Sequence, residues 1–181
     1  MRVLVTGGVR SGKSRHAELL LVDRPRVTYV AAGPVYDDAD WATRITAHRE
    51  RRPATWTTLE TRDVAGVVAS ADAPVLVDCL GTWLTGLIDE AHAWEAPSAE
   101  LAELAAARTA PLVDALAGVR VPVVLVTNEV GLGVVPEHRS ARVFRDLLGR
   151  INQDVGAACD EVHLVVAGRV LRLGDPIGPA R

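Results

Sequence analysis

The chain has 181 residues, 20 of them basic and 23 acidic, for a formal net charge of −3. That length suffices for one domain with a full core, and the balanced charge argues against an extended nucleic-acid surface. Hydrophobic residues make up 49% and charged residues 24%, which excludes wholesale disorder.

In chain order, Val3 to Thr6 reads as a strand, followed by a glycine loop and a helix from about Lys13 to Val22. Val27 to Ala31 reads as a second strand. Asp37 to Arg49 reads as a helix with two acids in its first turn, where they suit the helix dipole. Thr55 to Glu60 is a short strand and Asp63 to Ala69 a helix. Val75 to Asp78 is a strand, followed by a helix from about Thr82 to Ala91 and an exposed loop from Glu90 to Pro97. Ser98 is expected to N-cap a long Ala/Leu helix to about Leu116, with Glu100 and Glu103 in its early turns. Val123 to Thr127 is a strand, and Pro136 opens a helix to about Ala158. Val162 to Ala167 is the last clear strand, with Val170 to Leu173 as an edge strand. The tail from Gly174 to Arg181 holds two Pro and two Gly and is expected to fray.

Short apolar strands alternating with helices predict an α/β fold with a mainly parallel sheet flanked by helices. No repeat or long linker divides the chain, so residues 1–181 are expected to form one domain. Apolar runs such as Val121 to Val126 are too short to span a bilayer. No long apolar segment follows Met1-Arg2, so no signal peptide is expected. Cys79 and Cys159 lack metal-binding spacing and read as reduced thiols of a cytoplasmic protein.

The basic residues are 19 arginines and one lysine. That lysine, Lys13, lies in Gly7-Gly8-Val9-Arg10-Ser11-Gly12-Lys13-Ser14, between a strand and a helix. This is the context of a phosphate-binding P-loop. Glycines let backbone N–H groups converge on an anion, and the helix N-terminus adds positive dipole. Lys13 can reach the β- and γ-phosphates, and the Ser14 hydroxyl can ligate Mg²⁺. Arginine replaces lysine on a solvated surface, but its planar fork does not fit between two phosphates. Asp78, at the C-terminal end of an apolar strand, either positions Mg²⁺ or caps the next helix.

On the helix read over Asp37 to Arg49, Trp41, Ile45 and His48 share one face, with Arg44 one turn before His48. The densest basic cluster, Arg49-Glu50-Arg51-Arg52-Pro53, follows directly. A histidine beside arginines suits an anionic ligand. Those charges favour the neutral imidazole that attack on phosphorus requires. From spacing alone, a packing histidine beside a solvated basic turn stays open. His16, His92, His138 and His163 show no partner spacing and are read as structural.

Together, residues 6–14, His48 to Pro53 with Trp56 and Glu60, Val77-Asp78-Cys79-Leu80, and Thr127-Asn128-Glu129-Val130-Gly131-Leu132-Gly133-Val134-Val135-Pro136 closely resemble one family. It is the bifunctional adenosylcobinamide kinase/adenosylcobinamide-phosphate guanylyltransferase family of cobalamin assembly. The likeness runs from the first strand to about Gly168. It implies a P-loop NTPase fold and two reactions. In the first, ATP or GTP phosphorylates the aminopropanol hydroxyl of adenosylcobinamide. In the second, GTP guanylylates a histidine, and the GMP passes to adenosylcobinamide phosphate to give adenosylcobinamide-GDP. The resemblance puts the guanylylated histidine at His48. It puts nucleotide contacts at Gly7, Gly8, Val9, Arg10, Ser11, Gly12, Lys13, Ser14, Ala31, Ala32, Gly33, Arg49, Glu50, Arg51, Arg52, Glu60 and Asp78. It also implies a homo-oligomer, with a trimer as the expected form.

Glu60 can accept hydrogen bonds from guanine N1–H and N2–H₂, or it is a surface glutamate on an edge strand. Gly131 and Gly133 either allow a ligand close approach, lining the corrinoid site, or stabilise their loop. Glu129, Arg139 and Arg142 receive no role from chemistry. Two other readings compete: a simple small-molecule P-loop kinase in which His48 only contacts substrate, and an NTP-binding regulatory or assembly ATPase on the same fold.

Overall fold

The computed structural model describes residues 1–34 and 52–176. The helix read over 37–49, with His48, and the last five residues of the tail lie outside the described residues. Seven strands form one sheet: β1 (Arg2–Gly7), β2 (Thr28–Ala31), β3 (Thr57–Glu60), β4 (Val75–Asp78), β5 (Val123–Val126), β6 (Glu161–Val166) and β7 (Arg169–Arg172). Their order is β3-β2-β4-β5-β1-β6-β7. Every neighbouring pair is parallel except β6 with β7. The mainly parallel α/β fold is therefore present, and the edge strand read near Val170 to Leu173 is the antiparallel β7.

The central strands are Val- and Leu-rich because helices cover both faces. Five helices are described: α1 (Lys13–Leu19), α2 (Val64–Ala69), α3 (Leu80–Glu90), α4 (Ser98–Gly118) and α5 (Arg139–Ala158). Strand alternation sorts the core into two layers. Val3, Val5, Val124 and Val126 pack with Ala17 and Leu21 on the α1 side. Leu4, Val75, Val77, Val123 and Leu125 pack with Trp83, Leu112, Leu148 and Ile151 on the other. Burying an aliphatic side chain of this kind contributes about 1.5–3 kcal/mol, so both layers hold the strand ends in fixed register.

Several element boundaries differ from the sequence reading. Ser98 is the first residue of α4 rather than its cap: Pro97 holds the N-cap position, and no side-chain capping bond forms. The proline ring sets φ at −54° and leaves Pro97 extended at ψ 145°. Helix α5 opens at Arg139, not Pro136. The guanidinium of Arg142 binds the carbonyls of Pro136 and Glu137 and holds that segment before the helix. Helix α1 stops at Leu19, because Leu21 and Val22 donate to Glu18 and Leu19 in tighter turns. Helix α3 begins at Leu80, two residues early, since Cys79 and Thr82 form its capping box. Strand β3 starts at Thr57, after Trp56 N–H closes a turn on the Pro53 carbonyl at 3.0 Å.

Candidate active site

The sheet order places the C-terminal ends of β1, β5, β4 and β2 along one rim, where ligands of open α/β sheets bind. Strand β1 runs into the glycine loop and α1 opens at Lys13. Gly7 is sterically obligatory: a Cβ there would lie 2.4 Å from the Val165 carbonyl oxygen. Gly12 takes φ +99°, a left-handed conformation that disfavours side chains. Within the loop, Ser11 N–H donates to the Gly8 carbonyl at 3.3 Å. The Lys13 ammonium donates to that same carbonyl at 3.1 Å, so the lysine lies back across the loop. Gly8, Val9 and Arg10 are exposed along its outer edge. The hydroxyls of Thr6 and Ser11 are buried and make no hydrogen bond among the described residues. An exposed glycine loop that carries the Lys13 ammonium between a strand and a helix suits a polyanion.

Asp78 ends β4, two strands from β1 across β5. The N-cap of α3 is Cys79, so capping is not the role of Asp78. Its Oδ2 instead accepts the Tyr29 hydroxyl at 3.2 Å. Burial, and then the Asp78 charge, push the Tyr29 phenol well above its ordinary range, so it stays a hydrogen-bond donor. Burial likewise pushes the Cys79 thiol up, which makes it a poor nucleophile. Among the described residues, no three His, Cys, Asp or Glu side chains cluster to hold a metal by themselves. Ser14 and Asp78 are hard oxygen donors. Such a sparse set fits Mg²⁺, which keeps several waters and phosphate oxygens in its shell.

The other predicted contacts disperse. Arg52 stacks on the Tyr29 ring with its Cζ 3.7 Å from the centroid and donates to Thr58 Oγ1 at 3.1 Å. It thus joins the Asp78 side of the rim through Tyr29. Ala31 pairs in register with Glu60 at the ends of β2 and β3. Glu60 is exposed at the end of the edge strand β3. Ala32 is fully buried, and Gly33 packs on α3, where a Cβ would sit 2.9 Å from Thr82. His48, Arg49, Glu50 and Arg51 lie outside the described residues.

Three features escaped the sequence reading. The β6–β7 turn, with Ala167 and Gly168 at φ +50° and +72°, donates Gly168 N–H to the Ser11 carbonyl at 2.9 Å. His16 Nε2 and His163 Nδ1 meet at 2.9 Å although 147 residues apart. His163 Nε2 meets Glu161 Oε2 at 2.9 Å. The carboxylate accepts, so His163 donates from Nε2 and, as a neutral ring, accepts the hydrogen bond of His16 Nε2–H at Nδ1. Finally, α5 arginines bind loop carbonyls: Arg139 those of Trp94 and Ala96, and Arg142 those of Pro136 and Glu137. These pairings give Arg139 and Arg142 structural roles that chemistry alone left unassigned.

A family model described as cobinamide kinase / cobinamide phosphate guanyltransferase matches residues 3–173. The chain is 44% identical to the bifunctional adenosylcobalamin biosynthesis protein CobU of Salmonella typhimurium, over 93% of this chain and 97% of that protein. It is 43% identical to the Escherichia coli protein of the same name, with the same coverage of both chains. It is 37% identical to the bifunctional adenosylcobalamin biosynthesis protein CobP of Pseudomonas aeruginosa, over 98% of this chain and all of that protein.

Proposed function

The chain belongs to the cobinamide kinase / cobinamide phosphate guanyltransferase family and acts as an adenosylcobinamide kinase and adenosylcobinamide-phosphate guanylyltransferase; on that premise we propose which of its residues carry the two reactions. The observation that carries the kinase half is the cradle at Gly7–Ser14, with Lys13 folded across it.

In the kinase step, the triphosphate of ATP or GTP seats in the loop against the N–H groups of residues 8–14. Lys13 leaves the Gly8 carbonyl for the β- and γ-phosphate oxygens, a short rearrangement on a flexible stem. The aminopropanol hydroxyl attacks the γ-phosphorus. A new P–O bond forms, the bridge to the β-phosphate breaks, the hydroxyl proton passes to solvent, and the nucleoside diphosphate leaves. Ser14 and Asp78 would hold Mg²⁺, which supplies charge neutralisation on the phosphoryl oxygens when bound. Tyr29 orients Asp78 for that task.

In the transferase step, an imidazole nitrogen of His48 attacks the α-phosphorus of GTP and pyrophosphate leaves. A phosphate oxygen of adenosylcobinamide phosphate then attacks the same phosphorus, forming the diphosphate link and freeing His48. Splitting one displacement into two is the advantage of covalent catalysis. Arg49, Arg51 and Arg52 offset charge on the oxygens, and Glu60 reads the guanine edge. This half rests on the sequence pattern around His48.

No described helix is long and apolar enough to cross a membrane. The deciding experiment uses Mg²⁺ and GTP labelled on the α-phosphate. An acid-labile, alkali-stable label on the wild-type protein that His48→Ala lacks is the expected result. Full labelling of His48→Ala, or no label on the wild type, sinks the histidine assignment.

A further inference from the structure

The loop after β5 is bound to the phosphate cradle at its root. Glu129 N–H donates to the Gly7 carbonyl at 3.1 Å, at the first residue of the glycine loop. Asn152 on α5 donates to the Asn128 carbonyl at 3.1 Å. The Glu129 carboxylate accepts Gly131 N–H at 2.7 Å. Farther out, Arg145 donates to the carbonyls of Gly131, Gly133 and Val134 at 2.6, 3.0 and 3.0 Å. Three of the loop's carbonyls and the Gly131 N–H are thus engaged by side chains of its own chain.

What it presents to solvent is apolar. Leu132, Val134 and Val135 are 86%, 93% and 69% exposed. Single exposed aliphatic residues need no explanation, but three within four positions of a tethered loop do. Gly133 between them answers no demand of the fold: its φ is not positive, and an added Cβ would meet nothing within 4 Å. A residue free to carry a side chain, yet lacking one, keeps the surface flat. A flat apolar surface beside a phosphoryl donor fits a broad, methyl-bearing acceptor whose reactive group sits on a side arm.

We propose that residues 131–135 form the platform for the corrin ring of the acceptor, with the ring lying on Leu132, Val134 and Val135 and the aminopropanol arm running past Glu129 to the cradle. This rests on the reading that the Gly7–Ser14 loop holds the phosphoryl donor. A corrin ring is too wide to enter the cradle, so it must rest outside while its arm reaches in. The Glu129–Gly7 bond makes this loop a direct continuation of the cradle. Pre-ordering by Arg145 reduces the entropy lost when the ring binds.

Equilibrium dialysis against adenosylcobinamide, followed by corrin absorbance, tests the platform. The triple variant Leu132→Ser, Val134→Ser, Val135→Ser is expected to bind the corrinoid at least about tenfold more weakly, with nucleotide affinity unchanged. Gly133→Leu, which adds bulk only in open space, is expected to do the same. Unchanged corrinoid affinity in both variants overturns the proposal. So does a fall in solution mass with corrinoid affinity intact, which would make the loop an interface between copies of the chain. Lys13→Ala separates the premise. If that variant still transfers the γ-phosphate, the cradle is not the donor site and the platform argument falls with it, whatever the dialysis shows.

Discussion

Gly168 holds Ser11: the N–H of the last hairpin turn donates to the carbonyl in the middle of the phosphate loop at 2.9 Å. The turn also packs on the loop, since a Cβ at Gly12 would lie 3.6 Å from Gly168 Cα. The antiparallel β6–β7 hairpin thus braces the cradle from the side opposite β5. Gly168 sits at φ +72°, where a side chain costs about 1–2 kcal/mol. Gly168→Val should therefore lower Tm by about 2–8 °C and raise the KM for ATP severalfold. Thermal unfolding and initial rates check both. A lower Tm with an unchanged KM would make the turn a matter of stability alone.

Lys13→Ala should reduce γ-phosphoryl transfer by about 10²–10³-fold, the usual loss when one preorganised charge at the transferred group is removed. Lys13→Arg should not restore it, because the fork cannot replace a compact ammonium. Steady-state kinase assays decide this. A fully active arginine variant would contradict the requirement that the lone lysine expresses.

Tyr29→Phe keeps the ring under Arg52 and removes only the hydroxyl that Asp78 accepts. The hydrogen bond contributes about 0.5–1.5 kcal/mol, so the variant should fold with a small loss of Tm. Freed of this restraint, Asp78 should require severalfold more Mg²⁺ for half-maximal kinase rate. A Mg²⁺ titration identical to wild type would argue against Asp78 as the metal-positioning group.

Burial first, and then the neighbouring His163 and Arg172, lower the affinity of His16 for a proton. Below the ordinary histidine range near pH 6.5 the unfolded chain binds this proton more readily than the folded one. Stability attributable to His16 is therefore complete above that pH and declines as pH falls through the lowered folded value. Tm should drop between pH 7 and pH 5, and His16→Asn should flatten that part of the curve. A parallel decline in the variant would place the sensitivity elsewhere.

Arg145→Ala releases the carbonyls of Gly131, Gly133 and Val134 without touching the apolar side chains between them. If the loop is a pre-ordered platform, corrinoid affinity should fall several-fold while nucleotide affinity holds. Arg145→Lys should recover little, since a point charge cannot serve three carbonyls spread along a loop. Dialysis with the corrinoid and a separate nucleotide titration measure the two effects.

The alternation of Val-rich strands with helices was legible in the chain because period and burial are local properties. Among the described residues, elements long enough to show a period were placed within a few residues. The errors fell at ends, where one side chain decides. Arg142 captures the carbonyls that would have let α5 start at Pro136, and a proline takes the cap position expected of Ser98. The phosphate cradle was equally legible, since its glycines, Lys13 and Ser14 are contiguous and each answers to backbone geometry or charge.

By itself, the sequence determined the fold class, the cradle and the family, all of which rest on contiguous residues or on motifs in fixed order. Only the tertiary structure decided what distant residues do for that cradle. His16 and His163 showed no spacing because β6 joins α1 across 147 residues. Arg142 and Arg145 found their work only once α5 lay against the loop they hold. Asp78 met the Tyr29 hydroxyl, 49 residues away, only because the sheet sets β2 beside β4. Hydrogen bonds of this kind depend on where a sheet brings its strand ends, and sequence separation carries no record of that distance.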